Sequence, residues 1–185
     1  MEEFHTEATD ADVVARVRRG DRDAFRLLVH RYQDMLYRHA LRMTRHADTA
    51  ADLVQGAFVK AYAHLDRCRE PARFGAWLFR ILSNRCKDHL KSRRRRDLRL
   101  DGATQYLPVS NDDPSADLVQ AELRRQLQRA LDRLPEIQRE AFILKHVEGL
   151  SYEEMSAMLD VSISALKMRV LRAREALRTE LQEVL

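Results

Sequence analysis

The stretch LSYEEMSAMLDVSISALKMRVLRAR, residues 150–174, decides the fold of the C-terminal part of the chain. Ser151 followed by Glu154 is a capping box, which sets a helix start. Met155, Met158 and Leu159 then share an inward face. Asp160-Val161-Ser162 is a break: Asp tolerates left-handed backbone better than most residues, and Ser162 can cap the next helix. In that helix Leu166, Val170, Ala173 and Leu177 form a single apolar line at helical spacing. Ser164, Met168, Leu171, Arg172 and Glu175 point roughly opposite, Lys167 and Arg169 flank them, and Arg174 falls nearer the core edge. Short helix, tight turn, longer helix with a polar outer face is a helix-turn-helix. Its second helix suits a DNA major groove, about 12 Å wide. Arginine can read guanine with two hydrogen bonds, and lysine or arginine can clamp phosphate. The competing reading is an ordinary solvated charged helix.

Upstream, Leu118–Arg133 and EIQREAFILKHVEGL read as two more helices, with Pro135 at the second start and Gly149 at its end. Charge separates this part from the rest. Residues 1–100 hold 22 Lys/Arg against 14 Asp/Glu, whereas residues 101–117 hold four Asp and no cation. Residues 118–185 hold 11 charges of each sign, yet within 161–178 five cations face the single Glu175. Basic stripes on a small protein point to nucleic acid, with a solvated face as the alternative. The segment DLRLDGATQYLPVSNDDPSAD, residues 97–117, carries Gly102, Pro108 and Pro114 and keeps neither helical nor alternating period. It reads as a flexible acidic linker between two small helical domains, 1–96 and 118–185, in an all-α chain.

The first domain has three helical patterns. Phe25, Leu28, Val29, Tyr32, Met35, Leu36, Ala40 and Met43 keep helical spacing after a shorter helix near 11–19. Next, Ala50, Val54, Phe58, Ala61 and Leu65 form a seam, with Asp52, Gln55 and Val59 together on a side away from it. Gly56 shares that outer side in mid-helix, where it costs about 1 kcal/mol relative to Ala. A carboxylate, an amide and an apolar group on one outer face can make a protein-binding patch; an ordinary exposed face is the alternative. After a break at Pro71, Phe74, Leu78, Ile81 and Leu82 form an inward stripe. Arg80, Asn84, Lys87 and Lys91 cluster opposite and lead into Arg93–Arg96, with Trp77 and Phe79 nearby. Cation-rich stripes bind phosphates, and aromatic or Asn side chains can engage unstacked bases; Trp77 and Phe79 could equally be partly core. Arg85 falls near the inward stripe with no evident partner.

The remaining signals bound the function class. Few Gly (5) and Pro (4), with abundant Leu, Ala, Arg and Glu, favour helices. The opening MEEFHTEATDAD carries no secretory apolar region, and no run approaches the roughly 20 apolar residues of a membrane span. Cys68 and Cys86 make no disulfide framework, so a reducing cytoplasm is expected. His64, Cys68, Cys86 and His89 are metal-capable at helical spacings. Cys68 falls where a helix should end and His89 lies near the inward stripe, so scattered structural side chains are expected, with no metal site and no cofactor. Phosphate-loop, HExxH and nucleophile-elbow patterns are absent, which argues against an enzyme.

Taken in order, GDRDAF, ADLVQGAFVKAY, FGAWLFRILSNRCKDHLK and LPEIQREAFILKHVEGLSYEEMSAMLDVSISALKMRVLRAR resemble the extracytoplasmic-function (group IV) RNA polymerase sigma factors of the sigma-70 family. The resemblance covers nearly the whole chain; in the linker only length and acidity match. It implies that the Asp52, Gln55, Phe58 and Val59 helix docks on core RNA polymerase (beta and beta-prime subunits), at the clamp helices of the largest subunit. It implies that the loop 66–74 captures a flipped base. Arg80, Asn84, Lys87 and Lys91 would then read and open the minus-ten element of promoter DNA. Ser164, Lys167, Met168, Arg169, Arg172 and Arg174 would read the minus-thirty-five element. The linker would run along the RNA exit path, and an anti-sigma factor released by a stress signal would be a further partner. Three departures stand out. Gly56 replaces a usual acidic residue, and Asp160 a usual Gly. Ser164-Ala165 and Met168 replace the usual recognition residues, which implies an unusual promoter. A plain helix-turn-helix regulator is the rival reading, and it would bind duplex DNA unaided.

Overall fold

The computed structural model describes residues 8–99 and 118–182. Of the expected linker, 97–117, residues 97–99 instead continue the last helix of the N-terminal unit to Arg99, and 100–117 fall outside the described residues. The described residues form eight α-helices with short 3₁₀ turns and one π turn, and no strand. The N-terminal unit holds α1 (Asp10–Arg18), α2 (Phe25–Thr44), α3 (Ala47–Ala63) and α4 (Phe74–Arg99). The C-terminal unit holds α5 (Leu118–Arg133), α6 (Glu136–Phe142), α7 (Tyr152–Leu159) and α8 (Ile163–Gln182).

Local chemistry sets the boundaries. Thr9 and Asp12 form a capping box at α1, and Asp21 caps the turn that starts α2. Arg45 ends α2 in left-handed backbone, and the His46 side chain caps α3. Pro71 opens the 3₁₀ turn that leads into α4, where its missing N–H leaves nothing unsatisfied. Phe25 sits at the centre of the N-terminal core, edge-on to Phe58, Tyr62 and Phe74, with ring centroids 5.1–6.4 Å apart. All five seam residues are buried, Ala50, Val54, Phe58 and Ala61 in α3 and Leu65 in the 3₁₀ turn just beyond it. In the C-terminal unit α6 runs into a π turn, Ile143–Val147, and Gly149 takes positive φ (+74°) just beyond it. The expected capping box is present: Ser151 Oγ accepts the Glu154 N–H at 3.1 Å, and Glu154 Oε2 accepts the Ser151 N–H at 2.7 Å.

The two units do more than share a tether. One apolar cluster runs from Phe79, Leu82 and Cys86 of α4 to Ala141, Leu144 and Met155 of the C-terminal unit. Charged groups cross the same seam. Glu140, with no solvent exposure, accepts from Ser83 Oγ and from Lys87 Nζ (3.2 Å). His39 Nδ1 lies 3.0 Å from Glu148 Oε1, which also meets Arg42 Nη1 at 3.2 Å. Arg139 Nη1 donates to the Met43 carbonyl, and Arg45 pairs with Asp132.

Candidate nucleic-acid interface

Three surfaces carry the residues singled out above. The first is the outer face of α3. Its seam faces inward, so Asp52, Gln55 and Val59 are left outside, Val59 at 63% exposure. Gln55 and Val59 border a groove of about 420 Å³ against Gln33, Asp34 and Tyr37 of α2. Phe58 is only 8% exposed; it reaches the groove wall but belongs mainly to the core.

The second surface is the loop before α4 and the helix itself. Arg18 of α1 fixes the loop: its Nη2 donates to the carbonyls of Leu65 (2.7 Å) and Cys68 (2.6 Å). Arg67, Arg69, Arg73, Trp77 and Arg80 line a cavity of about 330 Å³, closed on its far side by Ser156 and Asp160. Trp77 is half-buried there, whereas Phe79 has no exposure and lies tilted against the His39 ring, centroids 4.6 Å apart. In this arrangement Phe79 is closed to a base, because its side of α4 faces the C-terminal unit. Asn84 and Lys91 are exposed. Arg80 Nη1 pairs with Asp160 Oδ2 at 2.7 Å, and Lys87 is held by Glu140. Two of the four stripe residues thus meet carboxylates of the other unit in this arrangement.

The third surface is the helix-turn-helix. Asp160 takes the left-handed conformation (φ 59°, ψ 46°), as its place in the break requires. The Ala165 N–H donates to Ser162 Oγ at 3.3 Å, capping α8. Leu166, Val170, Ala173 and Leu177 are buried, which turns Ser164, Lys167, Met168, Leu171 and Arg172 outward. Arg169 is half-buried. Arg174 is exposed rather than at the core edge, and its charge helps hold the His146 pKa below the usual histidine range, after burial, the larger cause.

Both thiols are buried. Burial pushes the Cys86 pKa up to about 12, with Glu140 adding to the rise, and burial also raises Cys68. Neither is poised as a nucleophile or thiolate ligand. Among the described residues no group of three or more His, Cys, Asp or Glu could hold a metal ion. None of their helices is long and apolar enough to cross a membrane. The inter-unit groups His39, Glu140 and Glu148 escaped the sequence reading. One signal was available: Glu136, Arg139 and Glu140 share a face with the apolar Ile143 and Leu144, a mixture that an isolated helix would not bury.

Comparison with known proteins places the chain. Residues 28–96 match the family described as Sigma-70 region 2, and residues 124–177 match Sigma-70, region 4. It is 34% identical over 188 residues to the RNA polymerase sigma-H factor of Pseudomonas aeruginosa, covering 97% of each chain. It is 36% identical over 189 residues to the ECF RNA polymerase sigma-E factor of Escherichia coli, covering 96% of each. Among solved structures it is similar to the sigma factor RpoE bound to the anti-sigma factor NepR, from Bartonella quintana. That match has a TM-score of 0.62 and 30% identity over 85% of this chain and 96% of that one. It is also similar to CnrH in complex with the cytosolic domain of CnrY, with a TM-score of 0.62 and 29% identity over 94% and 97% of the two chains. The chain belongs to the ECF sigma factors of the sigma-70 family, transcription initiation factors rather than enzymes, which bind core RNA polymerase and direct it to promoter DNA.

Proposed function

We propose that this sigma factor works in the bacterial cytoplasm through three separate surfaces. Residues 1–96 act as the core-binding and minus-ten unit, 97–117 as the tether and 118–185 as the minus-thirty-five unit. The α3 face with Asp52, Gln55, Phe58 and Val59 docks on the polymerase. The loop before α4, with Arg80, Asn84, Lys87 and Lys91, engages the minus-ten element as its strands part. Ser164, Lys167, Met168, Arg169, Arg172 and Arg174 read the minus-thirty-five element as duplex.

One observation carries this reading. Both α3 and α8 keep polar and apolar side chains outward that no core contact requires, with Val59 and Met168 the most telling. Exposed apolar groups beside polar ones are typical of interaction sites. Solved relatives held by anti-sigma factors support a matching inhibitor here, released on a stress signal. The test of the function is run-off transcription with core enzyme over a genomic promoter library. Start sites beyond the core-only control are expected; their absence defeats the reading. Tight binding of the free chain to duplex DNA would instead favour the plain regulator. For the inhibitor, co-purification from resting cells should recover a further protein that is lost on induction.

A further inference from the structure

Arg85 sits on α4 where that helix packs against α3, and it is half-buried. Its Nε is buried with no hydrogen-bond partner. Nη1 and Nη2 make no hydrogen bond or ion pair with any described residue, yet they are not sealed from solvent. An arginine carries five donors in a rigid fork and does not shed its charge. Leaving that fork without an acceptor at a helix–helix seam is a cost with no return inside the described fold.

Gly56 explains how the guanidinium gets there. A Cβ at residue 56 would lie 2.6 Å from Arg85 Cζ and 3.1 Å from Nε, and would collide with Nη2. Only glycine leaves room for the guanidinium against α3 at this point. Gly56 is one turn from Asp52 and one turn from Lys60, next to Gln55 and three residues before Val59. Those four neighbours are all exposed. The Arg85 fork therefore surfaces in the middle of the α3 outer face, where the chain has no side chain of its own at residue 56. Two local oddities, a glycine in mid-helix and a cation with no partner among the described residues, become one device.

We infer that Arg85 is a direct contact residue for core RNA polymerase, its guanidinium seated over Gly56 to take a carboxylate of the polymerase surface. The inference rests on the α3 face being the docking face. The polymerase is the occupant because the guanidinium lies at Gly56, whose helix neighbours Asp52, Gln55, Val59 and Lys60 make up the exposed α3 face. Guanidinium and carboxylate match as a bidentate pair, which gives direction as well as attraction.

The experiment titrates labelled full-length chain with core enzyme, for wild type, Arg85→Ala, Gly56→Ala and Asp52→Ala, with melting temperatures measured in parallel. Arg85→Ala should weaken core binding about tenfold, in keeping with a desolvated charge pair, without lowering the melting temperature. Gly56→Ala leaves the charge in place but pushes the flexible end of Arg85 off its seat. It should weaken binding in the same direction while raising the melting temperature, since Ala is the better helix former. If Asp52→Ala weakens binding and neither Arg85→Ala nor Gly56→Ala does, this inference is overturned and the docking face stands. If none of the three weakens binding, the docking face itself is wrong, and the inference falls with it. A lower melting temperature for Arg85→Ala with unchanged affinity would assign its partner to this chain, the four aspartates of 101–117 included, and would also overturn it.

Discussion

The Lys87 ammonium of α4 lies 3.2 Å from the Glu140 carboxylate of α6, and that carboxylate has no solvent exposure. Ser83 Oγ donates to the same carboxylate, and His39 Nε2 stands 4.0 Å from it. Lys87 keeps only 17% exposure while it holds this carboxylate, so it is largely withdrawn from a DNA phosphate. Arg80 keeps 37% but commits Nη1 to Asp160 of the helix-turn-helix break. Packing of the two units therefore competes with DNA for Lys87 and Arg80, a partial exclusion that leaves Asn84 and Lys91 exposed.

Replacing Glu140 with Gln tests that exclusion. The substitution keeps size and a hydrogen-bond acceptor for Ser83 but removes the charge that holds Lys87. Loss of a buried charge-assisted hydrogen bond costs about 1–3 kcal/mol. The packed arrangement should weaken by that order, while each unit's own helices persist. Spin labels on the exposed Arg26 and Arg178 positions should show a larger population at long distance in E140Q than in wild type. An unchanged distance distribution would mean that apolar packing alone holds the units together.

What could be read from residues alone follows from how local each signal is. The α7–α8 break was legible because a capping box, a left-handed Asp and a Ser cap all act within the twelve residues from Ser151 to Ser162. The α3 outer face was legible because the seam's period leaves Asp52, Gln55 and Val59 outside wherever the helix packs. The inter-unit seam was not legible. Periodicity says that a face of α4 is apolar, but not that α6 and α7 cover its neighbouring side. Arg85 defeated the reading for a related reason. Its seat is made by a missing side chain on another helix, which no pattern along α4 can show.

Phe79 gives a direct check on the buried side of α4. It fills space against His39 and has no exposure, so Phe79→Ala should destabilise by about 3–5 kcal/mol through lost burial and a cavity. Trp77 lines the arginine-rich cavity and is half-buried, so Trp77→Ala should cost less stability and more promoter opening. Denaturant unfolding and potassium permanganate footprinting of the open complex separate the two effects. Equal stability losses with equal footprints would place both rings in the core.

Mild acid should weaken the fold through His89. Burial lowers its pKa, and Arg93, Arg96 and His46 lower it further. Its folded value lies below the unfolded 6.5, so the unfolded chain takes up the proton first as pH falls. The effect on stability is nil well above pH 6.5 and becomes a loss as pH drops through that value. His146, shifted the same way, adds to it. Glu148 acts in the same direction, but only at lower pH. Burial raises its pKa, but the His39 and Arg42 contacts outweigh burial and leave it depressed, so it stays charged in both states above about pH 5.5. Denaturant midpoints at pH 7.5 and 5.5 should therefore differ, and His89→Gln should narrow the gap. An unchanged gap would show that His89 does not couple to folding.

The division of labour between the two DNA surfaces can be separated by melting the DNA in advance. Arg172 is exposed on the outer face of α8 and Arg169 flanks it half-buried, both clear of the Leu166–Leu177 line. On the proposed reading they meet a duplex groove, where a good arginine–guanine pair is worth about 1–3 kcal/mol of discrimination. Arg172→Ala or Arg169→Ala should thus lower initial promoter binding by about tenfold. Asn84 is exposed on α4, one turn beyond Arg80, which lines the cavity beside the loop, and on the proposed reading this helix meets separated strands. Asn84→Ala should leave the closed complex largely intact and slow opening. Transcription from a promoter with a pre-melted bubble over the downstream element tells these apart. The bubble supplies what Asn84 would have helped to form, so it should restore much of the Asn84→Ala activity. It cannot restore a contact to the upstream duplex, so Arg172→Ala and Arg169→Ala should stay impaired. Equal rescue of both classes would mean that α4 and α8 do not divide recognition from opening.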